Sequence, residues 1–287
     1  MAKRVWITGA AGLIGSHILR SARPYGGGWD AVGLDRSLLD LEDAGAIRAA
    51  FSRETPDAVI HCAAMSRSPA CQADPVRARS INVGATRVLT ELAANAGIPF
   101  LFFSTDLIFD GLKGNYVETD APNTLSVYAE TKVEAEAWVR QVPGHCIIRT
   151  SLNHGDSRTG DRSFNEDMVR AWREGRTLSL FTDEYRSPVP VEATARVVWE
   201  LLQRGSTGTF HLGGSERLSR FEIGQLIASQ FPGLEARMIA SSLKEYRGAP
   251  RSPDTSLDST KLQRELSFKL PGLRSWLQTP ASDRLLS

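Results

Sequence analysis

Short apolar runs alternate with amphipathic stretches along most of the chain. Residues 4–8 (RVWIT), 29–34, 55–64, 98–103 (IPFLFF) and 144–149 (GHCIIR) are unbroken or nearly unbroken apolar runs that follow turn residues. Runs of this length read as parallel strands buried on both faces. Between them, residues 16–22, 41–51, 75–96 and a stretch from Tyr128 to about Gln141 carry helical spacing. Asp74-Pro75 opens the third of these, with Asp74 as N-cap and Pro75 at the first helical position. Strand and helix in alternation predict an α/β fold, a doubly wound parallel sheet. Later come helical patterns at 164–174, with Trp172 on the apolar side, and at 192–204 and 221–231. Short strands are expected at 178–181 and at 208–212, the latter at a sheet edge. A further helix begins after Asp258 or Ser259, and 273–286 is the last apolar-periodic stretch. Residues 1–151, joined by 188–214, are expected to form the nucleotide domain; 152–187 and 215–287 form a smaller C-terminal α/β lobe.

The first strand runs straight into Gly9-Ala-Ala-Gly12-Leu13-Ile14-Gly15 and then a helix. In that context glycines tighten the turn, let the backbone approach a pyrophosphate and let the helix pack on the sheet. The amides of the first helical turn offer partial positive charge to phosphate. The second strand ends in Asp35-Arg36, with Asp35 20 positions after Gly15. An acid there accepts the adenine ribose hydroxyls and favours NAD, whereas Arg36 would neutralise a 2′-phosphate and favours NADP. The cofactor is therefore read as NAD(P)H with the choice open. Asp40-Leu41 either flank the adenine or cap the next helix. The small Ala63-Ala64 pair lets the dinucleotide lie against the backbone. His61 reads as a core or strand-end histidine.

Ser104-Thr105 end the run 98–103, on the side where open α/β sheets place ligands. Tyr128 and Lys132, four apart, share one helix face. A nearby cation favours a phenolate, so the tyrosine pKa is expected to fall from about 10 toward neutrality. A hydroxyl at the strand end could then hold a carbonyl oxygen while the tyrosine donates a proton. Asn82, mid-helix against propensity, has either a polar role near this pair or is simply tolerated.

Charge and cysteines narrow the classes. Lys+Arg is 34 and Asp+Glu 33, a net charge of +1 over 287 residues, which gives no reason to expect nucleic acid or a membrane surface. No apolar stretch approaches a membrane span, and no signal-peptide pattern opens the chain. Cys62, Cys71 and Cys146 form neither a metal spacing nor a disulfide framework, so no metal and a reducing, cytoplasmic location are expected.

The segments TGAAGLIG, PDAVIHCAA, FSTDLIFDG, LSVYAETK, IIRTS, DEYRSP and RSPDTSLDSTKL together resemble the extended short-chain dehydrogenase/reductases, and within them the dTDP-4-dehydrorhamnose reductase family. The resemblance covers nearly the whole chain. It implies a Rossmann domain binding NAD(P)H through Gly9, Gly12, Leu13, Ile14, Gly15, Asp35, Arg36, Asp40, Leu41, Ala63, Ala64 and Ser104. It implies Thr105, Tyr128 and Lys132 as the catalytic trio, with Asn82 in support. Tyr128 would protonate the C4 oxygen of a nucleotide-linked 4-keto sugar while hydride reaches C4. Lys132 would hold the nicotinamide ribose, and Thr105 and Asp106 would bond the substrate. A dehydratase of this group carries Asp-Glu after that threonine; here Asp106-Leu107 follow. An epimerase keeps the same Tyr-Lys pair, and a non-catalytic cofactor-binding subunit, as in methionine adenosyltransferase β, is the reading from another class. The family's Trp-Val-Tyr is replaced by Leu152-Asn153-His154, which makes Asn153 a candidate substrate contact or part of a drifted loop. Arg247 and Arg251 are candidates for substrate phosphates. Arg186 stands where a glycine is usual; an arginine there would be useful near a pyrophosphate, and solvent exposure is the default expectation. Residues 156–162 read as a mobile polar loop. A homodimer is the family's default.

Overall fold

The protein is described from a computed structural model covering residues 2–279. Six parallel strands make one sheet. They are β1 (Arg4–Thr8), β2 (Asp30–Leu34), β3 (Ala58–His61), β4 (Phe100–Thr105), β5 (His145–Thr150) and the edge strand Gly208–Leu212. The spatial order is β2-β1-β3-β4-β5 and then the edge strand. Side chains alternate between two apolar layers, as a period of two requires. Val5, Ile7, Ile60, Leu101, Phe103 and Ile148 pack on one face, beneath helices Leu13–Arg20 and Val191–Arg204. Trp6, Val59, Phe100, Phe102 and Ile147 pack on the other, beneath Ala44–Glu54, Ala85–Ala96 and Val127–Val139. Helices on both faces make the sheet doubly wound.

From β1 the chain moves to β2 on one side and returns to β3 on the other. That reversal opens a crevice at the carboxyl ends of β1 and β3, where such sheets bind ligands. The backbones there are very close. A Cβ on Gly9, whose φ is +70°, would lie 2.8 Å from the Ala63 nitrogen, and one on Gly15 would lie 2.4 Å from the Gly9 oxygen. Only glycine fits either position.

Two expectations need correction. The helix expected at 41–51 runs Ala44–Glu54, because Asp43 takes the cap by accepting the Gly45 and Ala46 amides. The helix beginning at Pro75 contains a π turn, Ser80–Gly84, which re-aims Asn82. Of the final periodic stretch, Leu273–Gln278 is helical; residues 280–286 lie outside the described residues.

The smaller lobe has its own core of Met168, Trp172, Leu180, Ile223, Ile227 and Leu273. Strand Leu178–Phe181 pairs with Met238–Ser241, and Tyr185–Arg186 with Leu218–Ser219. Both of its longer helices start with a capping box, Ser163 with Glu166 and Ser219 with Glu222. The chain then crosses back: Leu257 packs on Ile108, Phe109 and Tyr116, while Leu262 and Leu270 enter the nucleotide-domain layer.

One buried ion pair fixes the Tyr128 helix to the sheet. Arg149 of β5 donates Nε and Nη2 to the Glu136 carboxylate at 3.0 and 2.9 Å. Burial alone would raise the Glu136 carboxyl, but the Arg149 bonds and charge hold it below the ordinary range. Glu136→Ala leaves Arg149 buried without its partner, and is expected to cost about 3–5 kcal/mol in urea unfolding; a loss below about 1 kcal/mol would contradict the role given to this pair.

Candidate active site

A cleft of about 660 Å³ opens at the crevice. Gly9, Gly12, Leu13, Ile14 and Gly15 form its floor. No side chain caps the helix that begins at Leu13, and its first turn carries no acidic residue. The first-turn amides therefore face an anion without competition. Asp35, Arg36, Asp40 and Leu41 line one end. Asp35 Oδ1 accepts from the Ser37 amide (2.9 Å) and hydroxyl (2.6 Å), which hold this carboxyl below its usual range. Ala63 and Ala64 line the opposite wall, and Ser104, Thr105, Tyr128, Lys132 and Asn153 the far end. The floor that admits no Cβ, the open helix terminus and the long cleft fit a dinucleotide.

Ser104 and Thr105 are the last two residues of β4. Ser126 caps the Tyr128 helix by accepting the Ala129 amide. That start places Tyr128 on the first turn and Lys132 one turn on, both on the cleft wall. The direction of the tyrosine shift is the reverse of the expected one. Burial pushes the Tyr128 phenol up, and the Asp106 charge adds to this; the Thr105 hydrogen bond opposes it. Lys132 does not act as the neighbouring cation. Burial draws its ammonium down to about 7, against the pull of Glu136, and Nζ sits 3.9 Å over the Phe102 ring. Tyr128 is thus held in its protonated form at neutral pH, the form a proton donor needs.

Asn82 does not line the cleft. Its Oδ1 accepts the Met65 amide at 2.7 Å, and Nδ2 donates to Met65 O at 3.1 Å and Thr131 Oγ1 at 2.9 Å. It ties the segment after β3 to the Tyr128 helix, so its action on the cleft is through positioning. Asn153 is similarly committed: Nδ2 donates to Thr150 Oγ1 (2.9 Å) and Ser151 O (3.0 Å), and Oδ1 accepts from Thr194 (2.7 Å).

Asp106 is buried, and its carboxylate accepts from Thr105, Ser151, Arg186 and Thr255. Arg186, expected at the surface, is buried because Asp106 (2.9 Å) and Glu184 (3.5 Å) pair with it. Arg251 grips Glu184 through two bonds of 2.6 and 3.0 Å, away from the cleft lining. Arg247 is exposed, donates to the Lys244 and Tyr246 carbonyls, and is not brought to the cleft. His61 bonds Thr8 (2.6 Å) and Thr86 (3.1 Å), and burial draws its imidazole down to about 3; it is structural. Thr150 and Ser151, expected on the ligand side at the carboxyl end of β5, line the cleft, as do Arg162 and Phe164, which the sequence reading missed. Neither Arg162 nor Phe164 carried a signal in the sequence. Among the described residues no cluster of His, Cys, Asp and Glu could hold a metal ion, and no helix is long and apolar enough to cross a membrane.

The strand order, the glycine floor and the Tyr-x-x-x-Lys helix on one cleft define an extended short-chain dehydrogenase/reductase. The chain belongs to the RmlD substrate-binding-domain family, which it matches over residues 3–284. It is 31% identical to a probable low-salt glycan biosynthesis reductase, Agl14, of Haloferax volcanii, over 93% of this chain and 94% of that one. It is 28% identical to methionine adenosyltransferase 2 subunit beta of Rattus norvegicus, over 91% and 82%. A hypothetical dTDP-4-dehydrorhamnose reductase from Sulfolobus tokodaii superposes with a TM-score of 0.82 at 31% identity, covering 93% and 96%. The dTDP-4-dehydrorhamnose reductase of Bacillus anthracis, solved with NADP, shares the fold with a TM-score of 0.88 at 24% identity, over 97% and 98%.

The Lys132 shift has a stability consequence. Its ordinary value is 10.5 and its folded value about 7. Between those pH values the unfolded chain binds a proton that the folded one lacks, so stability from this group rises with pH across the window; the penalty is complete below pH 7. Without cofactor, the wild-type melting temperature is expected to gain on that of Lys132→Met from pH 7 to pH 10. Curves that stay parallel would show that Lys132 is not desolvated.

Proposed function

We propose that this protein reduces a nucleotide-linked 4-keto-6-deoxy sugar with NAD(P)H, hydride going to C4 and a proton from Tyr128 to the C4 oxygen. The observation that carries the reading is the convergence of Thr105, Tyr128 and Lys132 at one end of a dinucleotide-shaped cleft, with the phenol held protonated. Gly9, Gly12 and Gly15 admit the pyrophosphate, and the helix terminus at Leu13 balances its charge. A nicotinamide bound in the cleft supplies the hydride. Thr105 lines the cleft beside Tyr128 and would orient the sugar carbonyl against the phenol. The Tyr128 proton moves to the alkoxide that forms at C4, and solvent restores it. Lys132, over the Phe102 ring, would reach the nicotinamide ribose.

A second reading, a cofactor-binding subunit that does not turn over, is favoured by the likeness to methionine adenosyltransferase 2 subunit beta. Tyr128 brought together with Thr105 and Lys132 on one cleft supports the enzyme reading over it. The two separate in one assay. With dTDP-4-keto-6-deoxy sugar, the wild type is expected to consume NAD(P)H, and Tyr128→Phe to turn over about 10²-fold more slowly while binding the cofactor normally. Unchanged turnover in the variant would contradict the role of Tyr128; cofactor binding without consumption would favour the subunit reading.

A further inference from the structure

Lys132 is 3% exposed, yet among the described residues its ammonium pairs directly with no carboxylate; Nζ lies 3.9 Å over the Phe102 ring. A charge buried in this way needs a counter-charge or gives up its proton. The packing shows where a counter-charge stands. Phe102 and Ser104 of β4, and Ile147 and Arg149 of β5, point to the sheet face that helix Val127–Val139 covers, and Ser104 is beside Arg149 in the strand register. Glu136 is one turn beyond Lys132 on that helix. Residues four apart on one helix face bring their Cβ atoms to about 5–6 Å. The Glu136 carboxylate is fully buried, and both Arg149 and Arg140 donate to it.

No other titratable group around Lys132 offers a free negative charge at neutral pH. On its own helix Tyr128 is held protonated, and Glu130 and Glu134 pair with Arg79 on the exposed side. From β3, His61 is neutral and burial keeps the Cys62 thiol protonated. Burial also raises the Cys71 thiol of helix Ser68–Ala73. Asp106, after β4, is engaged by Arg186. From β5, Arg149 is a cation that Glu136 cancels. Taking away the Glu136 charge therefore removes an attraction and at the same time leaves Lys132 facing an uncompensated guanidinium.

We propose that Glu136 is a positioning residue of the cofactor site: its carboxylate, clamped beneath the helix by Arg149, is the counter-charge that keeps Lys132 an ammonium at the cleft wall. This rests on the reading that Lys132 holds the nicotinamide ribose, and on no identity of the sugar. It gives the buried Arg149–Glu136 pair a second task beyond fastening the helix. A carboxylate that never touches the cofactor then sets the pH range over which the cofactor is held.

The test is fluorescence titration of NADPH from pH 6.5 to pH 9 with the wild type, Glu136→Gln, Glu136→Asp, Lys132→Met and the double variant Lys132→Met/Glu136→Gln. Wild-type affinity is expected to fall as pH rises above about 7, where Lys132 loses its proton; Lys132→Met supplies the pH dependence of the cofactor itself. Glu136→Gln is expected to move that fall to lower pH by about one unit, a loss of about tenfold at pH 7.5, and Glu136→Asp to restore part of it. In the Lys132→Met background Glu136→Gln is expected to change NADPH affinity by less than about twofold, since it has nothing left to act through. Should Glu136→Gln not fold, Glu136→Met/Arg149→Met replaces the buried pair by apolar side chains without an unpaired charge, and is expected to move the fall in the same direction. An equal loss in both backgrounds, or a loss that leaves the pH profile where it was, would show a purely structural role and overturn the proposal. A wild-type affinity that follows Lys132→Met at every pH would overturn it as well. Failure of the wild type to bind NADPH at any pH would instead overturn the cofactor reading, and this inference with it.

Discussion

Four donors from distant parts of the chain converge on the Asp106 carboxylate: the Thr105 and Ser151 hydroxyls at the ends of β4 and β5, the Arg186 guanidinium, and Thr255 of the returning arm. The carboxylate is buried, and these groups satisfy its oxygens. Removing any one leaves the others facing an under-compensated charge. The two lobes are held together at this point, and the cleft between the sheet and the smaller lobe depends on it. Burial pushes the Tyr128 phenol up, and the same charge adds to that shift. Scaffold and chemistry therefore share one residue, which fits its place directly after Thr105.

Much of this was legible in the sequence because it is local. A strand, a glycine turn and a helix within the first 20 residues specify a phosphate-binding crevice on their own, and β1 and the edge strand Gly208–Leu212 fall where the apolar runs put them. Spacing of four residues suffices to put Tyr128 and Lys132 on one face. The misreadings at the site are long-range. Arg186 looks like a surface cation until it meets Asp106, 80 residues away, and Thr255 bonds the same carboxylate from 149 residues away. The direction of the Tyr128 shift depended on which of two neighbours dominates, Lys132 by sequence or burial and Asp106 in space. Asn82 was rightly noticed as an unusual helix residue, but its partners, Met65 and Thr131, could not be read from spacing.

The arrangement divides labour in a way the family resemblance alone does not convey. The sheet and its flanking helices supply the glycine floor together with Tyr128 and Lys132. The smaller lobe supplies Arg186, which pairs with Asp106, and the segment 156–162, whose carbonyls bond His17 and Arg67.

The central claim is that hydride from the cofactor ends on a sugar carbon while Tyr128 protonates the oxygen. The most direct measurement is mass and NMR analysis of the sugar product formed with NADPH carrying deuterium at the transferable position. The account predicts one deuterium per product molecule, on C4, with equivalent cofactor oxidation. A product that forms without deuterium, or with no net loss of NADPH, would contradict it.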